Sequence, residues 1–272
     1  MKLPRPPDWL ILIGVVGALV VLAVARPWRS PEAAPAPGPA AGAPLAPASL
    51  FDQAIWVNAP TAGLGAGTAF SVADRGVWLT ARHVVEGCRR AVIVTAPGRG
   101  VSAEVRLTGE RETAVLITRG GAPALPIAQG VVLRRGLEVF HPGFPRGRPG
   151  EAASQLIRRA NLWVGGRGLR TEPVLTFAET ARLPGLRGAL TGISGAPALD
   201  ASGAVLGVTV AEAPRRRRIY TTTPSSLRAA LAEAGVTPST SPGLTVTPAT
   251  YQAVADDLRA RLSVAEVVCL AT

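Results

Sequence analysis

The chain has 272 residues, 47% of them hydrophobic, with 29 Lys and Arg against 18 Asp and Glu and a net charge of +11. That apolar share excludes a disordered chain and suffices for one large or two small folded domains. Lys2 is the only lysine, and 30 Gly and 25 Pro accompany the arginines, so the charge follows a compositional bias, and no nucleic-acid-binding module goes with it.

Lys2 and Arg5 precede an uncharged apolar run from Trp9 to Ala25. The run is slightly shorter than the roughly 20 residues of a spanning helix and within the usual range. Ala23-Val24-Ala25 also fits a signal-peptidase site. Residues 1–29 are therefore expected to be a membrane anchor or a cleaved signal peptide. Arg26 and Arg29 flank the run on its C-terminal side, so the positive-inside balance is nearly even. Both readings export the rest of the chain, as a single-pass inner-membrane protein with its folded part in the periplasm or as a protein released there. Residues 30–49 are rich in Pro and Ala with Glu32 the only charge, which predicts an extended spacer.

From residue 50 onward, short runs bounded by Gly, Pro and Arg read as strands. They cover 68–72, 77–80, 91–95, 103–108, 114–118 and 137–141, then 160–164, 174–178, 196–199, 205–210 and 219–222. Many short strands at even spacing predict an all-β barrel or sandwich. Arg215–Arg218 lies between two such runs and reads as a solvated hairpin tip. Ser225–Gly235 reads as a helix stopped by its glycine. Thr250–Leu262 reads as a second helix, with Val254, Leu258 and Leu262 on one face.

Two runs carry chemistry. Gly192-Ile193-Ser194-Gly195-Ala196-Pro197 has the shape G-x-S-G-x-P, and Thr80-Ala81-Arg82-His83-Val84 has the shape T-A-x-H-V. A serine hydroxyl is a weak nucleophile until a base takes its proton, and a histidine can take that proton and return it to a leaving amine. The glycines flanking Ser194 permit a tight turn that brings backbone N–H groups close to a reacting carbonyl. Gly65-Ala66-Gly67-Thr68-Ala69-Phe70 precedes the histidine run. Phe140-His141-Pro142-Gly143-Phe144-Pro145, Val205-Leu206-Gly207-Val208 and Tyr220-Thr221-Thr222-Thr223-Pro224 complete the pattern.

In this order the motifs resemble the trypsin-like serine peptidases, especially the bacterial HtrA-type branch, without a PDZ domain. The resemblance covers about residues 50–235 and implies an all-β fold of two six-stranded barrels with the cleft between them. It leaves residues 236–272 as a C-terminal extension with one helix. It implies an exported serine endopeptidase with Ser194 as nucleophile, His83 as general base, and the N–H groups of Gly192 and Ser194 as the oxyanion hole. The family carries Asp in a D-[IL]-A-[VL]-L segment, but no Asp lies between His83 and Ser194. Glu112, in Glu112-Thr113-Ala114-Val115-Leu116, stands there as the orienting acid. The competing reading is a degenerate domain of the same fold that binds a peptide or protein partner in the old cleft. Ile193 stands where zymogen-activated members carry Asp, so activation by a new N-terminus is not expected. Gly188, six residues before Ser194, argues against an acidic pocket base.

His141 is expected to be structural. The remaining chemistry-bearing residues are Cys88 and Cys269. In an oxidising compartment they can pair and clamp the tail to the first barrel; two buried free thiols are the other reading. With two Cys and two His well apart in sequence, no metal site and no cofactor are expected.

Overall fold

The computed structural model describes residues 42–58, 65–165, 169–240 and 244–270. The apolar run at 9–25 lies outside them. Among the described residues no helix is long and apolar enough to cross a membrane.

The first group of strands is β2 (Ala66–Ala73), β3 (Val77–Ala81), β4 (Arg90–Ala96), β5 (Arg99–Leu107) and β6 (Thr113–Thr118). With β13 (Val264–Leu270) they form a closed six-stranded barrel in the order β13-β2-β3-β6-β5-β4. Every pair in it is antiparallel. Phe70, Leu79, Leu116 and Val267 are buried along its strands and belong to one hydrophobic core.

The second group is β1 (Ala54–Asn58), β7 (Glu138–Gly143), β8 (Gly150–Gly165), β9 (Arg170–Arg182), β10 (Pro197–Leu199), β11 (Val205–Ala213) and β12 (Arg218–Thr222). They make a seven-stranded sheet in the order β1-β8-β7-β10-β11-β12-β9, with a further pairing between β8 and β9. The sequence implied a six-stranded unit here. The extra strand is β1, which lies parallel to β8, Ala54 opposite Asn161 and Val57 opposite Val164. β8 and β9 are also far longer than their predicted runs, at 16 and 13 residues. The first half of β8 carries Gly, Glu, Ala and Ser on five successive buried positions, which hides the period-2 signal. Leu156, Phe177, Ile193 and Leu206 fill this sheet's core.

Three α-helices, α1 (Arg82–Val85), α2 (Pro224–Glu233) and α3 (Tyr251–Ala260), and two 3-10 turns, Pro145–Gly147 and Pro214–Arg216, complete the described chain. Thr223 caps α2 by accepting from the Ser226 N–H at 3.1 Å, with Pro224 at the first position, where a missing N–H costs nothing.

Two boundaries differ from the expectation. The strand Val264–Leu270 is no appendage: it closes the barrel between β2 and β4, with Val264 opposite Phe70 and Val267 opposite Ile93. An apolar strand in sequence does not name its partners, which here lie at the other end of the domain. The spacer also ends earlier than composition suggests. Leu45 N–H donates to the Leu133 carbonyl at 2.8 Å and Arg159 Nε to the Ala46 carbonyl at 2.9 Å, so residues 42–49 are tied down. Cys88 and Cys269 are joined as a disulfide, Cα atoms 5.4 Å apart, linking the loop after α1 to β13. His141 is fully buried, its ring nitrogens 3.1 Å from Thr209 Oγ1 and 2.7 Å from Ser154 Oγ. Burial holds its pKa down at about 3, so the ring is neutral.

Candidate active site

The barrel register sets the first half of the site. Ala81 at the end of β3 pairs with Thr113 at the start of β6. The residues just beyond that pair, Arg82 and Glu112, therefore meet: Arg82 N–H donates to the Glu112 carbonyl at 2.9 Å. One residue on, His83 projects from α1, and its Nδ1 lies 3.2 Å from Glu112 Oε2. An ionised carboxylate only accepts, so a neutral ring carries its proton on Nδ1 and leaves Nε2 with a free lone pair.

Glu112 is 1% exposed. Burial pushes its pKa up, but the hydrogen bond and charge of His83, and then those of Arg170, outweigh it and hold the carboxyl below its ordinary range. Arg170 donates to Glu112 Oε1 from Nε at 3.2 Å and from Nη2 at 3.0 Å. The Glu112 N–H donates to Glu172 Oε2 at 3.0 Å. Burial raises the pKa of Glu172.

The second half is the loop Leu190–Ala196 between β9 and β10. Gly192 (φ +96°) and Gly195 (φ +91°) take conformations that side chains resist. A Cβ on Gly195 would collide with the Thr68 carbonyl. The barrel pins this loop. Thr68 N–H donates to the Ser194 carbonyl at 2.8 Å. Thr68 Oγ1 donates to the Gly192 carbonyl at 2.9 Å and accepts the Phe144 N–H at 3.0 Å. The N–H groups of Gly192 and Ser194 have no backbone acceptor among the described residues, so both remain free for a ligand oxygen. Ile193 is buried in the sheet core beside Leu190, where an ammonium group would find no partner.

Ser194, Gly192, His83 and Glu112 line one cavity of about 340 Å³. The structure thus brings His83 and Glu112 into contact and Ser194 into the same cleft. No hydrogen bond joins Ser194 Oγ to the His83 ring among the described residues. The sequence reading missed Arg170 and the role of Thr68. Thr68 lay inside a recognised motif, so its position was legible. Arg170 follows a glycine-rich run of sequence and looks like any of the many arginines.

A sequence profile of the trypsin-like peptidase domain matches residues 67–208. The chain belongs to the trypsin-like peptidase family. No curated protein sequence matches it. The trypsin-like fold recurs in solved structures. The active form of the Rv3671c protease from M. tuberculosis is 20% identical with a TM-score of 0.52, over 75% of this chain and all (100%) of that one. Its inactive form is 22% identical with a TM-score of 0.51, over 64% and 88%. The HtrA-type protease AlgW, solved with a decapeptide, is 18% identical with a TM-score of 0.51, over 62% and 51%.

Proposed function

We propose that this trypsin-like domain is a serine endopeptidase of the cell envelope, working through Ser194, His83 and Glu112. The observation that carries the reading is the 3.2 Å contact between His83 Nδ1 and Glu112 Oε2, facing the cleft that holds Ser194. A domain that had lost its acid would have no reason to keep a buried carboxylate on that nitrogen.

The chemistry follows from the placement. His83 Nε2 takes the hydroxyl proton as Ser194 Oγ attacks the scissile carbonyl. The oxyanion is met by the N–H groups of Gly192 and Ser194, each donor being worth roughly 3–4 kcal/mol of barrier. The imidazolium, balanced by Glu112, returns its proton to the amine as the C–N bond breaks. A water then repeats the cycle on the acyl-enzyme and frees Ser194. Glu112 keeps its charge throughout, orienting the ring and stabilising its protonated form.

The substrate is an extended peptide. β10 covers β11 only as far as Val208, while Val210, Ala211 and Glu212 line the cleft. That edge of β11 suits an added strand, in which main-chain hydrogen bonds supply affinity. AlgW, solved with a decapeptide, supports a peptide ligand for this fold. Export supports an envelope address: the apolar run at 9–25 acts as anchor or signal, and a disulfide suits an oxidising compartment.

The test is labelling of the full chain with a fluorophosphonate, beside Ser194→Ala. Labelling that disappears in the variant upholds an activated serine. No labelling of folded protein overturns the constitutively active enzyme and leaves a peptide-binding module.

A further inference from the structure

We propose that Arg170 is the positioning residue that lets a glutamate serve as the triad acid, by bridging Glu112 to the end of the helix that carries His83. The inference rests on the peptidase reading above. Glutamate has one more rotatable bond than aspartate, so its stem alone fixes its carboxylate less well. Here the carboxylate is held from outside. Arg170 brings two N–H groups to Glu112 Oε1, which leaves Oε2 for His83 Nδ1.

The same guanidinium reaches Glu86. Arg170 Nη2 lies 3.0 Å from Glu86 Oε2, and Nη1 lies 3.4 Å from Glu86 Oε1. Glu86 is the C-cap of α1, and its own N–H donates to the Arg82 carbonyl at 2.8 Å. Arg82 Nε backs Glu86 Oε1 at 3.1 Å. One planar cation therefore sets the gap between the helix of His83 and the loop of Glu112. It also separates two carboxylates that would otherwise repel each other. Arg170 is 6% exposed, so neither water nor salt loosens the bridge as it would a surface pair. A planar fork of N–H donors is what this double grip needs, and lysine lacks it.

Arg170 comes from the other half of the fold. It opens β9, where pairing with Val164 places it, whereas His83 and Glu112 belong to the barrel. The acid–base pair is thus held in register by the sheet that also carries Ser194. An error in docking the two halves disarms the site.

The experiment compares wild type, Arg170→Gln and Arg170→Lys as full chains. Two quantities are measured: kinact and KI with a fluorophosphonate, and the imidazole nitrogen NMR spectrum, which reports the proton position on each ring. With His83 and His141 the only histidines, assignment is direct. Arg170→Gln is expected to lower kinact about 100-fold, the scale of a 1 Å misplacement, with KI unchanged. His83 should lose its Nδ1–H tautomer in the same variant. Arg170→Lys is expected not to rescue either property. A folded Arg170→Gln protein with kinact within threefold of wild type, or with the tautomer unchanged, overturns the inference. If Arg170→Gln fails to fold, Arg170→Lys decides in the same terms. A wild type that is unreactive but shows the Nδ1–H tautomer, lost on substitution, keeps the positioning role and sinks the peptidase reading instead.

Discussion

If the domain works as the proposed peptidase, shortening Glu112 to aspartate, the residue that the family pattern carries at this place, is expected to slow its reaction. The carboxylate now spans two partners, 3.2 Å from His83 Nδ1 and 3.0–3.2 Å from Arg170. Removing a methylene withdraws it by about 1.5 Å, one C–C bond. The backbone cannot compensate, because the Glu112 carbonyl is held by Arg82 at 2.9 Å and its N–H by Glu172 at 3.0 Å. At least one contact then opens past about 4 Å, where no hydrogen bond survives. A hydrogen bond to a charged group nets about 1.5–3 kcal/mol, and each 1.36 kcal/mol is tenfold in rate. Losing the His83 contact therefore slows acylation about 10- to 150-fold. The assay is the single-turnover rate of fluorophosphonate labelling at neutral pH, with circular dichroism to show that the fold is intact. A Glu112→Asp protein that reacts as fast as wild type, or faster, refutes the argument that the glutamate is fitted to a wider gap.

Three more outcomes are expected from the geometry. Thr68→Val keeps the volume but strands the Gly192 carbonyl and the Phe144 N–H; at about 1–3 kcal/mol for each orphaned group, both unfolding free energy and labelling rate should fall, and an unchanged urea midpoint would refute this. His141 has a folded pKa of about 3 against 6.5 in the unfolded chain, so the native state binds fewer protons and stability is lost as pH falls through that window. The stability advantage of wild type over His141→Gln should shrink by about 2 kcal/mol between pH 7.5 and pH 5, and a pH-independent difference in urea melts would show that the ring is not held neutral. Reducing the Cys88–Cys269 disulfide, whose partners are 181 residues apart, should cost up to about 5 kcal/mol by loop entropy, and identical unfolding curves for wild type and Cys88→Ser would contradict this.

Sequence was most informative where a residue's task is set by its immediate neighbours. The turn around Ser194 needs Gly192 and Gly195 for their positive φ, and the step from β3 into α1 carries His83, so short motifs exposed both. Glu112 was legible because it opens the run Glu112–Leu116, which matches the family's D-[IL]-A-[VL]-L segment. Tasks set by distant partners were not legible. Arg170 matters through Glu86 and Glu112, which lie 84 and 58 residues away, and nothing around it signals that. β1 shows a short apolar run but not its parallel place beside β8. The first half of β8 is buried on both faces, so no alternation marks it as strand.

The place of β13 has a consequence for how this protein reaches its folded form. Synthesis delivers the chain from its N-terminus, and the partner that Phe70 requires is Val264, 194 residues later. Until that segment emerges, β2 and β4 each present a bare strand edge, the arrangement most open to wrong pairing with other chains. Every strand of the sheet, with Ser194 among them, lies between these two partners or just before them. A growing chain can therefore assemble the Ser194 loop before the barrel that carries His83 and Glu112 has closed, and the complete cleft forms only with the final strand. Closure over so long a separation also predicts slow folding, which lengthens the interval during which the half-built barrel needs protection.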